Sequence, residues 1–431
     1  MSSDKGSNRY SVAEAVALMS AGKLTSRRLA EDCLERIDQR ESEVGAWTYI
    51  NPQQVLAQAR ACDREPRRSL LHGIPVGVKD IIDTSDMPTE YGSPIYAGYQ
   101  PRSDAACISI LRNAGAIIMG KTVLTEFAQG IPGKTRNPHN LKHTPGGSSS
   151  GSAAAVADFM TPLALSTQGA GSTLRPAAYC GIVGFKPTFN VINRAGVKPV
   201  NESLDTLGIM GRTIADVRLT YSVLTDSVAT LNSFDGNAPK IGFCRTSQWA
   251  HAQPATIGAM ENAVSALRRA GASVKEVVLP SQFDAMQSVC ARIYNYESCR
   301  GLSHEFRYFR NKLSRTLLEK FEKTSPTTLI EYVTAQQQAA VCRQLLPQVF
   351  SEHDVLLTPS APGEAPYGLN KTGDSIFNRM WTALYVPAVT IPVSSDPLNL
   401  PIGLQLVGPF GADYRLLECA HWIQHKLSSI I

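Results

Sequence analysis

The chain of 431 residues is 43% hydrophobic and 18% charged, a composition that supports a folded protein with a sizeable core. A formal net charge of +5 is small for this length, and no Lys/Arg block approaches a nucleic-acid footprint, so no nucleic-acid partner is expected. No apolar run is long enough to span a membrane, and the polar start at residues 1–8 lacks the apolar stretch of a signal peptide. A cytoplasmic protein with no membrane partner is the expectation.

In chain order, residues 11–38 read as two helices. The second carries an apolar face of Leu29, Ala30, Cys33, Leu34 and Ile37 behind a Thr25 or Ser26 cap. After a polar break at residues 63–69, residues 73–78 read as a strand with Lys79 at its C-terminal end, where open α/β sheets tend to place active groups. Residues 103–113 read as a helix and 116–119 as the next strand, giving a βαβ unit. Two glycine–serine loops follow, at residues 146–152 and 169–172. An alanine-rich helix start at Ser152 and a buried strand at residues 163–166 separate them.

From Lys240 the alternation returns. Strands are expected at residues 241–244 and 274–278, around a helix that buries Met260, Val264 and Leu267 and ends at Gly271. Residues 280–347 read as mostly helical. Strands bounded by proline and glycine follow at 354–359, 387–392 and 401–409, then a closing amphipathic helix at 413–424. There is no internal repeat or obvious linker. The expected architecture is one α/β domain over residues 1–431, with a central mixed sheet covered by helices.

The serine loops carry the chemistry. A hydroxyl is a weak nucleophile until a base takes its proton. The run from Gly147 to Gly151 formally fits G-x-S-x-G, the nucleophile elbow, but proline-rich loop sequence stands where that motif needs a strand. Neither G-x-x-x-x-G-K-[ST] nor a fitting G-x-G-x-x-G is present, so no phosphate-bearing cofactor is expected. The nine cysteines include no C-x-x-C, and their odd number argues for reduced, packed thiols, Cys180 among them. His139 and His143 lie four apart, but Pro138 and Pro145 flank them and no H-E-x-x-H exists, so no metal is expected.

The stretch Gly146-Gly147-Ser148-Ser149, then Gly171-Ser172, then Arg175-Pro176-Ala177-Ala178-Tyr179-Cys180-Gly181 and Gly184-Phe185-Lys186-Pro187, resembles the amidase signature family. Upstream, Gly73-Ile74-Pro75-Val76-Gly77-Val78-Lys79-Asp80 is similar to the family's lysine-bearing strand. The dense likeness covers about residues 71–217. The resemblance implies an α/β/α fold and a catalytic set of Lys79 as base, Ser148 as bridging serine after a cis peptide, and Ser172 as nucleophile. It also implies an oxyanion hole of backbone N–H groups at Gly169, Ala170, Gly171 and Ser172. Gln168, Arg175, Tyr294 and Glu297 are candidate substrate-binding residues, although an arginine in such a loop more often holds backbone carbonyls. Glu126 either touches substrate or ties loops together, and Asp205 reads as structural support. The helical segment 280–347 is expected to wall the substrate funnel. Two departures stand out: Gln168 occupies a loop position where the family commonly has aspartate, and Arg175 lies three residues after the nucleophile rather than two.

The implied activity is an amidohydrolase that cleaves a small amide or urea-like substrate through a seryl acyl-enzyme, releasing ammonia or an amine. The alternative is the amidase subunit of a tRNA-dependent amidotransferase, which draws ammonia from glutamine and needs partner subunits. The Gln168/Ala170 loop fits the usual sequence of that subunit poorly. A non-catalytic binding protein of the same fold would have lost Lys79, Ser148 or Ser172, and all three are present. The substrate partner is a small amide, and a homodimer is compatible with this reading.

Overall fold

A computed structural model describes residues 6–129, 131–227, 238–324, 327–395 and 400–428; the first five residues of the polar start lie outside the described residues. Its frame is one mixed 11-stranded sheet. The strands are β1 (Trp47–Ile50), β2 (Pro75–Lys79), β3 (Ile117–Thr122), β4 (Leu163–Gln168), β5 (Val183–Lys186), β6 (Thr206–Gly211), β7 (Lys240–Cys244), β8 (Ser273–Val277), β9 (Val355–Pro359), β10 (Ala388–Ser395) and β11 (Pro401–Val407). Their spatial order is β1-β3-β2-β4-β6-β5-β10-β11-β9-β7-β8. β2 runs parallel to β3 and β4, and β7 runs parallel to β8 and β9. Antiparallel pairs join these two parallel parts through β6, β5, β10 and β11. Every residue of β2, β3 and β4 is buried, as befits strands covered on both faces.

The expected βαβ unit is present, with the helix Ala106–Asn113 crossing between parallel β2 and β3. It starts at Ala106 rather than residue 103, and Asp104 before it accepts from Ser85 N–H and pairs with Arg112. The alanine-rich helix begins at Ser150, two residues before the expected Ser152, and runs to Ala157. Its small side chains let it lie against the sheet, with the Ser152 hydroxyl donating to the Leu165 carbonyl at 3.0 Å. Residues 280–347 hold the helices Met286–Gly301, Ser303–Tyr308, Arg315–Thr324 and most of Leu329–Val349.

Several elements were not anticipated. β1 and β5 are four residues each, too short to show a period. The helix Pro52–Arg64 did carry a signal: Asn51 caps it, and Pro52 sits at its first position. The helix Leu174–Tyr179, just after the second serine loop, contains Pro176, which obscures it in the sequence.

Candidate active site

The site forms where β2 and β4 end side by side. Their parallel register pairs Val78 with Leu165, so Lys79 comes abreast of the last residues of β4. Lys79 is fully buried. Its Nζ lies 2.8 Å from Ser148 Oγ, 2.7 Å from Thr167 Oγ1 and 3.4 Å from the Thr167 carbonyl oxygen. The Gly147–Ser148 peptide is cis.

Burial pushes the Lys79 ammonium down to about 7, against a smaller opposing pull from the Asp205 charge. A neutral amine has two hydrogens and one lone pair. Donation to Thr167 then leaves the lone pair for the Ser148 hydroxyl.

Burial of a lysine does not by itself mark a site in this protein. Lys121 and Lys186 are also fully buried. Burial lowers them to about 8 and about 7 respectively. Lys121 binds the Ile82 carbonyl and the Thr89 hydroxyl, while Lys186 binds the Pro187 and Val386 carbonyls. Of the three, Lys79 is the one hydrogen-bonded to a serine.

Ser148 and Ser172 line one narrow cavity together with Thr167, Gly169, Gln129, Arg194, Lys198, Asn201, Asp205 and Tyr294. Ser172 makes no side-chain hydrogen bond among those described, a looseness common before substrate binds. A second space of about 690 Å³ shares Gly169 and Tyr294 with the first and adds Ala170, Leu204, Cys290, Lys320, Ser375 and Arg379. Tyr294 therefore borders both chambers, and Lys320 Nζ lies 4.7 Å from its ring centre.

The other candidate residues separate. Arg175 is buried; its Nη2 donates to the Gly147 carbonyl at 2.6 Å and to Thr372 Oγ1 at 3.2 Å. It thus holds the peptide that precedes Ser148. Gln168 is fully buried and turned away from the cavity: its Oε1 accepts from Thr173 N–H and Leu174 N–H, and its Nε2 donates to Thr382 Oγ1. Glu297 is bound by Ser203 N–H, the Ser203 hydroxyl, Tyr332 and Gln336, so its carboxylate fastens the loop before β6 to two helices and lines neither chamber. The polar atoms of Gln168 and Glu297, both expected at the substrate, are thus engaged inside the protein in this structure.

Glu126 ties loops, accepting from Ser93 and Ser314. Asp205 does brace its loop, accepting from Val200 N–H at 2.9 Å and Asn201 N–H at 2.8 Å, but it also reaches the cavity wall. Burial pushes its carboxyl up to about 6.

Sequence reasoning missed Thr167, whose role follows from the β2–β4 register, and Thr382 and Asn378, which come from far along the chain. Gly171 shows why Asn378 matters. A side-chain Cβ at residue 171 would fall 2.4 Å from Asn378 Oδ1 and 2.6 Å from Ser375 Cβ, so this loop must carry glycine to lie against its backing.

His139 and His143 bind the Cys180 and Ala365 carbonyls. Among the described residues there is no group of three or more His, Cys, Asp or Glu side chains that could hold a metal. Nor is any described helix long and apolar enough to cross a membrane. Cys180 is fully buried, and burial pushes its thiol well above the ordinary range, which suits packing.

Comparison with known proteins agrees with this geometry. Residues 28–417 match the family model described as Amidase. A glutamyl-tRNA(Gln) amidotransferase subunit from Chloroflexus aggregans is 34% identical, over 93% of this chain and 93% of that protein. A crystal structure of an amidase superposes with a TM-score of 0.89 at 27% identity, covering 97% of this chain and 100% of the other. The native peptide amidase of Stenotrophomonas maltophilia superposes with a TM-score of 0.80 at 28% identity, covering 97% of each. The chain belongs to the amidase signature family and is an enzyme that hydrolyses amide C–N bonds.

Proposed function

We propose that this protein cleaves its amide through a seryl acyl-enzyme, with Ser172 as nucleophile, Ser148 as proton relay and Lys79 as base. The observation that carries the reading is the buried Lys79–Ser148 hydrogen bond on the cavity that Ser172 also lines. Ser172 Oγ bonds to the amide carbon as its proton moves to Ser148, whose own proton passes to neutral Lys79. The developing oxyanion faces the backbone N–H groups of Gly169, Ala170, Gly171 and Ser172. Collapse breaks the C–N bond: Ser148 gives its proton to the leaving nitrogen and recovers one from Lys79. Water then attacks the ester by the same route in reverse roles and frees the acid and Ser172.

Two fates for the nitrogen fit this chemistry. The full-length relative named as an amidotransferase subunit favours a glutaminase whose ammonia passes to an acceptor held with partner subunits. The amidase and peptide amidase structures, and the Gln168/Ala170 departure in the oxyanion loop, favour a free-standing hydrolase of a small amide. The sequence comparison gives the subunit reading the stronger support.

Ammonia release by purified protein tests both against a panel of primary amides, glutamine and urea derivatives. Turnover by the chain alone, lost by at least about 10³-fold in Ser172→Ala with folding intact, establishes the free-standing serine amidase. Glutamine turnover that appears only with partner subunits and charged tRNA, and is lost in the same variant, establishes the subunit. Wild-type turnover in Ser172→Ala overturns the mechanism in either setting.

A further inference from the structure

An oxyanion hole works only if its donors are fixed before charge develops, to within about half an ångström. The loop from Gly169 to Ser172 has no regular structure of its own. What fixes it is Gln168, the last residue of β4. Its carboxamide oxygen accepts from Thr173 N–H at 2.9 Å and Leu174 N–H at 3.0 Å, the two donors immediately after Ser172. Its amide nitrogen donates to Thr382 Oγ1 at 3.0 Å. The Thr382 hydroxyl lies 2.7 Å from the Ala170 carbonyl, closer than the 3.2 Å to the Asn378 carbonyl one helical turn back. Gln168 and Thr382, linked to each other, thereby hold the backbone on both sides of Ser172.

The allocation of donors is selective. Gln168 engages the N–H groups of Thr173 and Leu174, whereas those of Gly169, Ala170, Gly171 and Ser172 have no acceptor among the described hydrogen bonds. Resting on the assignment of Ser172 as nucleophile, we propose that Gln168 and Thr382 are positioning residues that set the oxyanion loop.

A carboxamide suits this task because it accepts and donates at once. The aspartate more usual in the family at this position, when ionised, accepts but has no hydrogen to give Thr382. It would also place negative charge beside the developing oxyanion. The departure at residue 168 is therefore coupled to Thr382, which lies on the helix Arg379–Ala383 on the far side of the loop.

The test compares Thr382→Val, Thr382→Ser, Gln168→Glu and the Gln168→Glu/Thr382→Val double variant with wild type and Ser172→Ala. The substrate is the panel amide that wild type turns over fastest, and folding is checked by circular dichroism. Thr382→Val should lower kcat about tenfold with KM nearly unchanged, because the lost interaction acts in the transition state. Thr382→Ser keeps the hydroxyl and should restore kcat. Gln168→Glu should fall further, and adding Thr382→Val should cost little more, since both break one link. Wild-type kcat in Thr382→Val, an effect confined to KM, or fully multiplicative losses in the double variant would overturn the clamp. If Gln168→Glu does not fold, the valine–serine pair at residue 382 decides alone. An active Ser172→Ala removes the nucleophile assignment; an inactive one beside an unaffected Thr382→Val removes the clamp only.

Discussion

Lys79 is the proposed base, and its surroundings suit that role. Its amine titrates at about 7 because burial penalises the charged form. The base works neutral, so kcat/KM should climb as pH rises through about 7 and level off above it. A profile flat from roughly pH 5 to pH 9 would contradict that role. Lys79→Arg puts a permanent cation where a neutral amine is needed, and should lose turnover by at least about 10³-fold although side-chain length is nearly kept. Glu297 offers the opposite case. Its carboxylate is bound by Ser203, Tyr332 and Gln336, so Glu297→Gln should lower the melting temperature by a few degrees and leave KM for the amide unchanged. A raised KM with an unchanged melting temperature would return Glu297 to the substrate. The proposed set Lys79, Ser148 and Ser172 could be named from the sequence because each sits in a local run that resembles the family's. The partners of Gln168 and Glu297 could not be named, because a side chain's partner depends on contacts that no local run records. The Gln168 partner Thr382, more than two hundred positions away, is an instance.

At the scale of elements, the site depends on two parallel strands ending together and on one helix seated against the backbone beside β1 and β3. Gly151, in that helix, donates its N–H to the Val123 carbonyl at 2.9 Å. A Cβ there would fall 2.2 Å from the Ala46 carbonyl oxygen and 2.4 Å from Val123 N, both rigid backbone. Gly151→Ala should therefore destabilise by about 1–3 kcal/mol, readable as a lower urea midpoint at unchanged m-value. An unchanged midpoint would mean that the helix tolerates a shift. The strands β9, β10 and β11 were readable as apolar runs between proline and glycine, and β2, β3 and β4 as short apolar runs before or between the serine loops. Their order was not, because pairing in a mixed sheet is settled by what packs on its faces rather than by any strand's own residues. The short β1 and β5 fell below the length at which a period can be seen.

On the scale of the whole molecule, the single sheet joins strands from Trp47 to Val407, with β10 linking the N-terminal and C-terminal parallel parts. We propose on that basis that the chain unfolds as one domain: circular dichroism and tryptophan fluorescence should report coincident urea transitions, and two separated transitions would divide it. The proposed nucleophile, relay and base all come from residues 79 to 172, whereas Tyr294, Lys320 and Arg379 on the chamber walls arrive from later in the chain. The proposed machinery thus lies on one stretch, while the walls draw on that stretch, on Arg194, Lys198, Asn201 and Asp205, and on the later helices. Replacing residues 280–347 with the matching helices of a relative should transplant amide preference while leaving the acylation chemistry in place. If it does, the fit to the amide and the breaking of its bond are separable properties of this molecule, and the first can be redrawn without touching the second.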